Sequence, residues 1–346
     1  MQSFWSGKGW RNRLLLPVSW LFGVLSGLRR WLYQQSVLSS GHPGVPVVIV
    51  GNLTAGGSGK TPFVIWLVQW LQEQGYQPGV VSRGYGRKDK GSHVLNPDST
   101  AAQAGDEPLL VCAKTGAPVV VDSDRLQACK TLRAHYPDVN ILVADDGLQH
   151  YRLQRDLELV LADATGLFGN GWLLPAGPLR EPLARLNEAD ALILSQRDER
   201  GDNATQAGKT DPGISASRIP VFCVRHQPGV FRNLRDPEIV VDAAYFSGKI
   251  VDAVAGIARP EVFFDALERN GLKIQRHAFA DHHAYAPGEL NPQAAVVMTE
   301  KDAVKCRKLA GADWWVRTLE LTPDAALENW LAQTLPTLNR QKTHGQ

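Results

Sequence analysis

The sequence predicts an α/β protein of two domains, a larger one on a parallel sheet and a smaller one after it, preceded by a helix that lies on a membrane surface. Three observations predict this. Short β-branched runs alternate with helical windows from Val45 onward. A glycine-rich loop joins the first of those runs to a helix start at Lys60. The first 72 residues hold no acidic side chain. The length of 346 residues fits two domains, each able to bury a core.

The N-terminal segment comes first. Six of the 37 basic residues and none of the 35 acidic ones precede Glu73, so a basic start leads into a mildly acidic body. That asymmetry points to an anionic surface as partner and away from nucleic acid, whose binding proteins tend to be basic throughout. Leu14 to Leu28 is uncharged, bounded by Arg13 and by Arg29 and Arg30. Fifteen helical residues reach about 22 Å, short of the ~30 Å hydrocarbon core. Trp5, Trp10, Trp20 and Trp31 add an interfacial residue type. These features predict a membrane-associating helix within residues 1–35 that lies on the surface and does not cross it. A signal peptide and a buried core helix are the competing readings. The Arg-Arg end lacks a small-residue cleavage site, and the motif that follows needs a cytosolic nucleotide.

Residues 36–205 read as the larger domain. Val45–Val50, Val80–Ser82, Val119–Asp122, Ile141–Asp145, Leu157–Asp163 and Ala191–Ser195 have the look of buried parallel strands. Gly201 to Ser217 is polar and free of aromatics, and the linker is placed at 206–217. Residues 218–346 carry the second α/β pattern, with strands at Phe222–Val224, Ile250–Ile257, Ile274–Phe279, Ala294–Met298 and Trp314–Leu321. Its residues 281–305 are expected to close over a nucleotide cleft. The four cysteines form no CxxC pair, which leaves a zinc ribbon or a thioredoxin-type site unsupported and fits a reducing compartment.

The strongest motif is VVIVGNLTAGGSGKTP, residues 47–62. A buried strand runs into glycines, then Lys60-Thr61 opens a helix with Pro62 in its first turn. Such a P-loop closes around phosphate oxygens through the backbone N–H groups of Gly56, Gly57 and Gly59. Lys60 brings charge to the β- and γ-phosphates, and the Thr61 hydroxyl is placed to ligate Mg²⁺. The nucleotide-binding stretch is thus Thr54, Ala55, Gly56, Gly57, Ser58, Gly59, Lys60 and Thr61. Thr54 stands where the general pattern has glycine. Ala55 stands where membrane-associated ATPases with a similar loop carry a second lysine. A guanine-reading Asn-Lys-x-Asp is missing too: Ser195-Gln196-Arg197-Asp198 comes nearest.

Ile141–Asp146 is an apolar run ending in acids, the layout in which a carboxylate at a strand end orients Mg²⁺. Leu157–Val160 leading to Asp163 is a shorter rival. Gly105-Asp106-Glu107-Pro108 reads either as a helix cap or as a carboxylate that accepts a hydroxyl proton. Asp281-His282-His283 reads as a cap with satisfied histidines or as an acid/base contribution. Thr299-Glu300-Lys301-Asp302 is another cleft loop or a solvated charge cluster.

Taken together, GNLTAGGSGKTP, SRGYGR (82–87), GDEP (105–108), ADDGLQH (144–150), RD (155–156), GPLRE (177–181), DHH (281–283) and TEKDAVK (299–305) resemble the tetraacyldisaccharide 4′-kinase family. The matches run in order from about residue 45 to 305, and Thr54 is that family's own habit. The resemblance implies a membrane-associated kinase of Gram-negative bacteria. It would transfer the γ-phosphate of ATP to the 4′-hydroxyl of a lipid A disaccharide precursor at the cytoplasmic face of the inner membrane. It implies Lys60 and Thr61 on phosphates and Mg²⁺, with Asp145, Asp146 and Glu181 at the metal and Arg180 steadying phosphate. It also implies Asp106 as catalytic base, tuned from the other side of the cleft by a histidine of DHH, taken as His282. The runner-up is a membrane-associated nucleotide switch acting on a protein, and a third reading is a lipid-surface adaptor with a vestigial loop.

Overall fold

The computed structural model describes residues 2–5, 7–87, 89–197 and 219–340. The proposed linker at 206–217 lies outside the described residues. Two compact units emerge, and they group the chain differently from the sequence reading.

The first unit takes the described residues up to Arg83, Ala117–His226 and those from Leu321 on. Its helices are α1 (Gln2–Trp5), α2 (Trp10–Leu14), α3 (Leu16–Gln34) and α4 (Lys60–Glu73). Its strands include β1 (Val47–Gly51) and β2 (Pro78–Ser82). The second unit takes Gly84–Gly116, with β3 (His93–Val94), α5 (Ala101–Ala104) and α6 (Asp106–Thr115), together with Gln227–Glu320.

In the first unit β4 (Val119–Val121), α7 (Arg125–His135), β5 (Ile141–Asp145), β6 (Leu157–Asp163) and β7 (Ala191–Arg197) follow, and β8 (Val221–Asn233) begins. The strands lie in the order β8-β7-β6-β1-β5-β2-β4, and the paired registers are parallel. β1 sits in the middle with every residue buried, as a β-branched run covered on both faces should. Val50 pairs with Asp145 and Gly51 with Val160, so β1, β5 and β6 deliver their C-terminal ends side by side. Ligands of open parallel sheets bind at that edge.

In the second unit β9 (Val240–Val241), β10 (Ile250–Ala255), α8 (Pro260–Arg269), β11 (Lys273–Ala278), β12 (Val296–Thr299), α9 (Glu300–Cys306) and β13 (Trp314–Pro323) follow. The order β11-β10-β12-β13 continues to the later half of β8, and β9 pairs with β8 antiparallel. Phe231, Phe246, Val251, Phe264, Val297 and Trp315 make its core.

The regrouping has a packing cause. The sequence reading put residues 84–116 in the larger domain, but α6 is fastened to α9 by a Lys114–Glu300 pair and by lysines at its acidic start. The C-terminal helix Ala325–Arg340 was assigned to the smaller domain. Its Trp330 stacks on Phe222 with ring centroids 5.4 Å apart, and Asp324 accepts from the Cys223 amide, which places it in the first unit.

The N-terminal helices α2 and α3 invert the usual amphipathic arrangement. Their polar and small residues face the protein. Asn12 donates to the Ala176 carbonyl at 3.0 Å, and Ser19 Oγ accepts from the Ala176 amide at 2.9 Å. A Cβ at Gly23 would stand 2.7 Å from Leu173, so glycine lets the helix come close there. Their large apolar residues face outward: Trp10 and Trp20 are each 68% exposed, and Leu14, Val18, Leu21, Val24, Leu25, Leu28 and Trp31 are exposed with them. Among the described residues no helix is long and apolar enough to cross a membrane.

Candidate active site

The phosphate loop follows directly from β1. Gly56 and Gly59 take φ of 121° and 80°, values that suit glycine alone, and Gly59 caps α4. A Cβ on Gly59 would meet Ser195 Oγ at 2.5 Å and His226 Nε2 at 2.8 Å. The second wall of the loop is the GPLRE segment. Ala55 N donates to the Pro178 carbonyl at 2.8 Å, Thr54 bridges Leu179, and Arg180 N donates to the Leu53 carbonyl at 2.7 Å. That brace lies more than a hundred residues away in sequence, and no local pattern announces it.

Charges converge at the end of β5. Lys60 Nζ donates to Asn52 Oδ1 at 3.1 Å and lies 3.4 Å from Asp146 Oδ1. Arg180 Nη1 reaches both Asp146 oxygens at 3.1 Å. Burial alone would push the Asp146 carboxyl up, but Lys60 and Arg180 outweigh it and hold it below the usual carboxylate range. Asp145 is buried beside it and accepts from Ser82 Oγ at 3.3 Å. Ser58 Oγ is buried with no hydrogen-bond partner.

These residues fit a nucleotide and its magnesium ion. The cradle offers a helix N-terminus, left-handed glycines, a lysine and an unsatisfied hydroxyl, all of which suit phosphate oxygens. Among the described residues no three His, Cys, Asp or Glu side chains gather to hold a metal. Mg²⁺ needs no such cage, because it takes one or two carboxylates and completes its shell with phosphates and water. Thr61, Asp145 and Asp146 are the side chains here that would fit that smaller set.

Glu181, expected at the metal, is buried at the end of the GPLRE segment. Its Oε2 accepts from Tyr151 at 2.7 Å and lies 3.4 Å from Arg185 Nε. Arg180, expected on phosphate, is engaged with Asp146. The rival acid Asp163 accepts from the backbone and hydroxyl of Thr165, which makes it a turn residue. RD is structural as well: Arg155 pairs with Glu158, and Asp156 accepts from the Val47 amide. His150 of ADDGLQH accepts from the Arg125 amide and is pushed down to about 4, chiefly by burial.

The second unit holds the other candidates. Gly105 is the N-cap of α6, so Asp106 is a first-turn residue and makes no cap. Its Oδ2 lies 3.1 Å from His282 Nδ1 and 3.4 Å from Lys305 Nζ. Asp106 and His282 therefore meet within one unit, not from opposite domains as expected. His283 is occupied apart from them: Nε2 lies 2.9 Å from Glu289 and the ring stacks on Phe279. Among the described residues four non-glycine residues have left-handed φ, and Asp146 (49°) and His282 (64°) are two of them. Such backbone strain concentrates at functional positions.

TEKDAVK forms the N-terminus and body of α9, not a loop. Thr299 caps the helix by accepting from Asp302 N. Lys301 Nζ lies 3.1 Å from Asp281, 3.4 Å from His282 Nε2 and 3.6 Å from Glu107. The exposed Tyr85 ring lies over His282 with centroids 5.5 Å apart. The sequence reading gave Lys301, Lys305 and Tyr85 no role of their own, although all three stand in the quoted motifs.

Comparison with known proteins accounts for this set of features. A family model described as tetraacyldisaccharide-1-P 4′-kinase matches residues 11–336. The tetraacyldisaccharide 4′-kinase of Thiobacillus denitrificans is 49% identical over 331 residues, covering 96% of this chain and 97% of that protein. The one from Methylobacillus flagellatus is 42% identical over 337 residues, with coverages of 96% and 95%. The crystal structure of LpxK from Aquifex aeolicus in complex with ATP superposes with a TM-score of 0.79 at 28% identity, over 94% of this chain and 99% of that one. With its phosphate loop, paired acids and Asp106–His282 contact, the chain belongs to the tetraacyldisaccharide-1-phosphate 4′-kinase family.

Proposed function

We propose that this kinase transfers the γ-phosphate of Mg·ATP to the 4′-hydroxyl of a tetraacylated glucosamine disaccharide 1-phosphate, giving lipid IVA. The observation that carries the reading is the loop of residues 54–61, with Lys60 held between Asn52 and Asp146 at the C-terminal edge of the sheet. Family membership over nearly the whole chain supplies the acceptor.

The steps follow from the residues. Loop amides and Lys60 bind and orient the β- and γ-phosphates. Thr61, Asp145 and Asp146 would hold Mg²⁺, which supplies charge neutralisation at the phosphate oxygens when bound. Arg180 fixes the Asp146 carboxylate, and Glu181 fixes the Arg180 segment through Tyr151 and Arg185. Asp106, oriented by His282, takes the proton of the 4′-hydroxyl. The acceptor oxygen bonds to the γ-phosphorus, the bond to the β–γ bridging oxygen breaks, and ADP leaves with that electron pair. Little covalent chemistry is asked of the protein, and positioning and charge do most of the work.

The outward apolar face of α3 supports a place on the membrane surface, where the lipid acceptor presents its sugars, on the cytoplasmic side that supplies ATP. The test is incubation with γ-labelled ATP and tetraacyldisaccharide 1-phosphate in mixed micelles. A labelled product lipid is expected. Slow nucleotide hydrolysis with no labelled lipid would favour the nucleotide-switch reading instead.

A further inference from the structure

Lys305 is the feature of the second unit that the mechanism above leaves unused. Its side chain is only 4% exposed, and its ammonium lies 3.0 Å from Asp302 Oδ1 and 3.4 Å from Asp106 Oδ2. Neither approach has hydrogen-bond geometry, so Nζ is a buried charge held by ion contacts alone. Taking an ammonium out of water is costly, and an apolar side chain of similar volume often packs there with no loss of stability. Asp302 does not require the lysine. It also accepts from Gly256 N at 3.0 Å, Tyr285 Oη at 3.0 Å and Thr299 Oγ1 at 2.6 Å. The partner that gains is Asp106.

We propose that Lys305 is a positioning residue for the phosphoryl transfer, its buried ammonium keeping Asp106 ionised and pinning Oδ2 so that Oδ1 is the oxygen offered to the acceptor hydroxyl. This inference rests on Asp106 being the base. Both contacts, from His282 Nδ1 and from the Lys305 ammonium, fall on Oδ2. The charges around Asp106 come from several elements: Glu107 on its own helix, Asp281 and His282 on the preceding loop, and Lys301, Asp302 and Lys305 on α9. The Tyr285 ring, 5.2 Å from Nζ, covers the lysine. Burial by itself pushes the Asp106 carboxyl up. The His282 hydrogen bond and the charges of Lys305, His282 and Lys301 reverse this and leave it below its ordinary value. Without Lys305 burial would gain ground, and a protonated Asp106 accepts no proton.

The experiment is a pH profile of kcat for the intact enzyme, for Lys305→Met and for Lys305→Gln, with Asp106→Asn as control. Loss of a nearby positive charge raises a carboxyl pKa, so the acidic limb should move up by about 1–2 pH units in both lysine variants. Turnover lost near that limb should return at higher pH, and KM for ATP should hold. A limb that stays in place in a folded lysine variant would overturn the proposal. So would loss of the fold in both, which would assign Lys305 to the framework. If Asp106→Asn itself turned over normally, the reading of Asp106 as base would fall, whatever the lysine variants show.

Discussion

Lys60 is the side chain in the phosphate loop whose removal should be cleanest. Its Nζ is shared between Asn52 and Asp146, and Asp146 keeps Arg180 at 3.1 Å when the lysine is gone. The fold therefore has no reason to fail in Lys60→Ala. Loss of a charged donor aimed at the transferred group typically costs a factor of about 10²–10³ in turnover, and kcat/KM should fall at least that far while the melting curve barely moves. Near-normal turnover would count against the P-loop assignment. For the base, Asp106→Asn should lower kcat far more than it raises KM for ATP. His282→Gln should give a related defect. Because Nδ1 lies 3.1 Å from Asp106 Oδ2, the double variant should be scarcely worse than either single one. Fully additive losses would separate the two residues. Asp106 and the lysines beside it were not equally legible in sequence. GDEP marks the carboxylate, but nothing local tells a cap from a base. Only the fold shows Gly105 taking the cap and leaving Asp106 to a histidine 176 residues away.

At the scale of elements, the strand–loop–helix unit from Val47 to Glu73 was readable because its signals are local: a β-branched run, glycines, then Lys-Thr-Pro. What holds that unit in shape was not. The loop is braced by Pro178, Leu179 and Arg180, and Gly59 is packed on the buried Ser195–His226 hydrogen bond of 2.7 Å. Long-range contacts of this kind leave no periodicity to find. α9 was missed for a different reason, since seven residues span barely two turns and show no helical repeat. The packing at Gly59 gives a prediction for the loop as one element. In Gly59→Ala the new Cβ would collide with Ser195 Oγ, and alanine disfavours a φ of 80°. The start of α4 must shift, carrying Lys60 and Thr61 with it. ATP affinity, read by calorimetry or fluorescent-nucleotide displacement, should drop by an order of magnitude or more. Unchanged affinity would mean that the loop does not need this close approach.

At the scale of the whole chain, the two units are assembled from interleaved segments. A sequence boundary drawn at a polar stretch has no means of finding that. Residues 84–116 join the second unit through charge pairs between α6 and α9, the Asp106–Lys305 one buried. The C-terminal helix joins the first through Trp330 and Asp324. The N-terminal helix was better marked, because charge and hydropathy write it into one continuous stretch. The structure adds which face is outward, and that decides how to test it. Deleting residues 1–35 would uncover Ala176 and Leu173, whose partners are Asn12, Ser19 and Gly23, and so confuse attachment with folding. Replacing only outward residues avoids this. Leu21, Val24 and Leu25 are all exposed, so Leu21→Gln, Val24→Gln and Leu25→Gln together should leave melting temperature and ATP binding unchanged. Burial of such side chains in the interface is worth about 1.5 kcal/mol or more each. The triple variant should then partition onto anionic vesicles on the order of a thousandfold less well. Basic residues near the surface add about 1 kcal/mol apiece through charge, so high salt should weaken attachment of the parent only in part and of the variant almost completely. Lipid turnover should fall with attachment, while turnover of a detergent-dispersed acceptor should suffer less. Equal flotation of the two proteins at low and high salt would show that the outward face of α3 meets something other than a membrane.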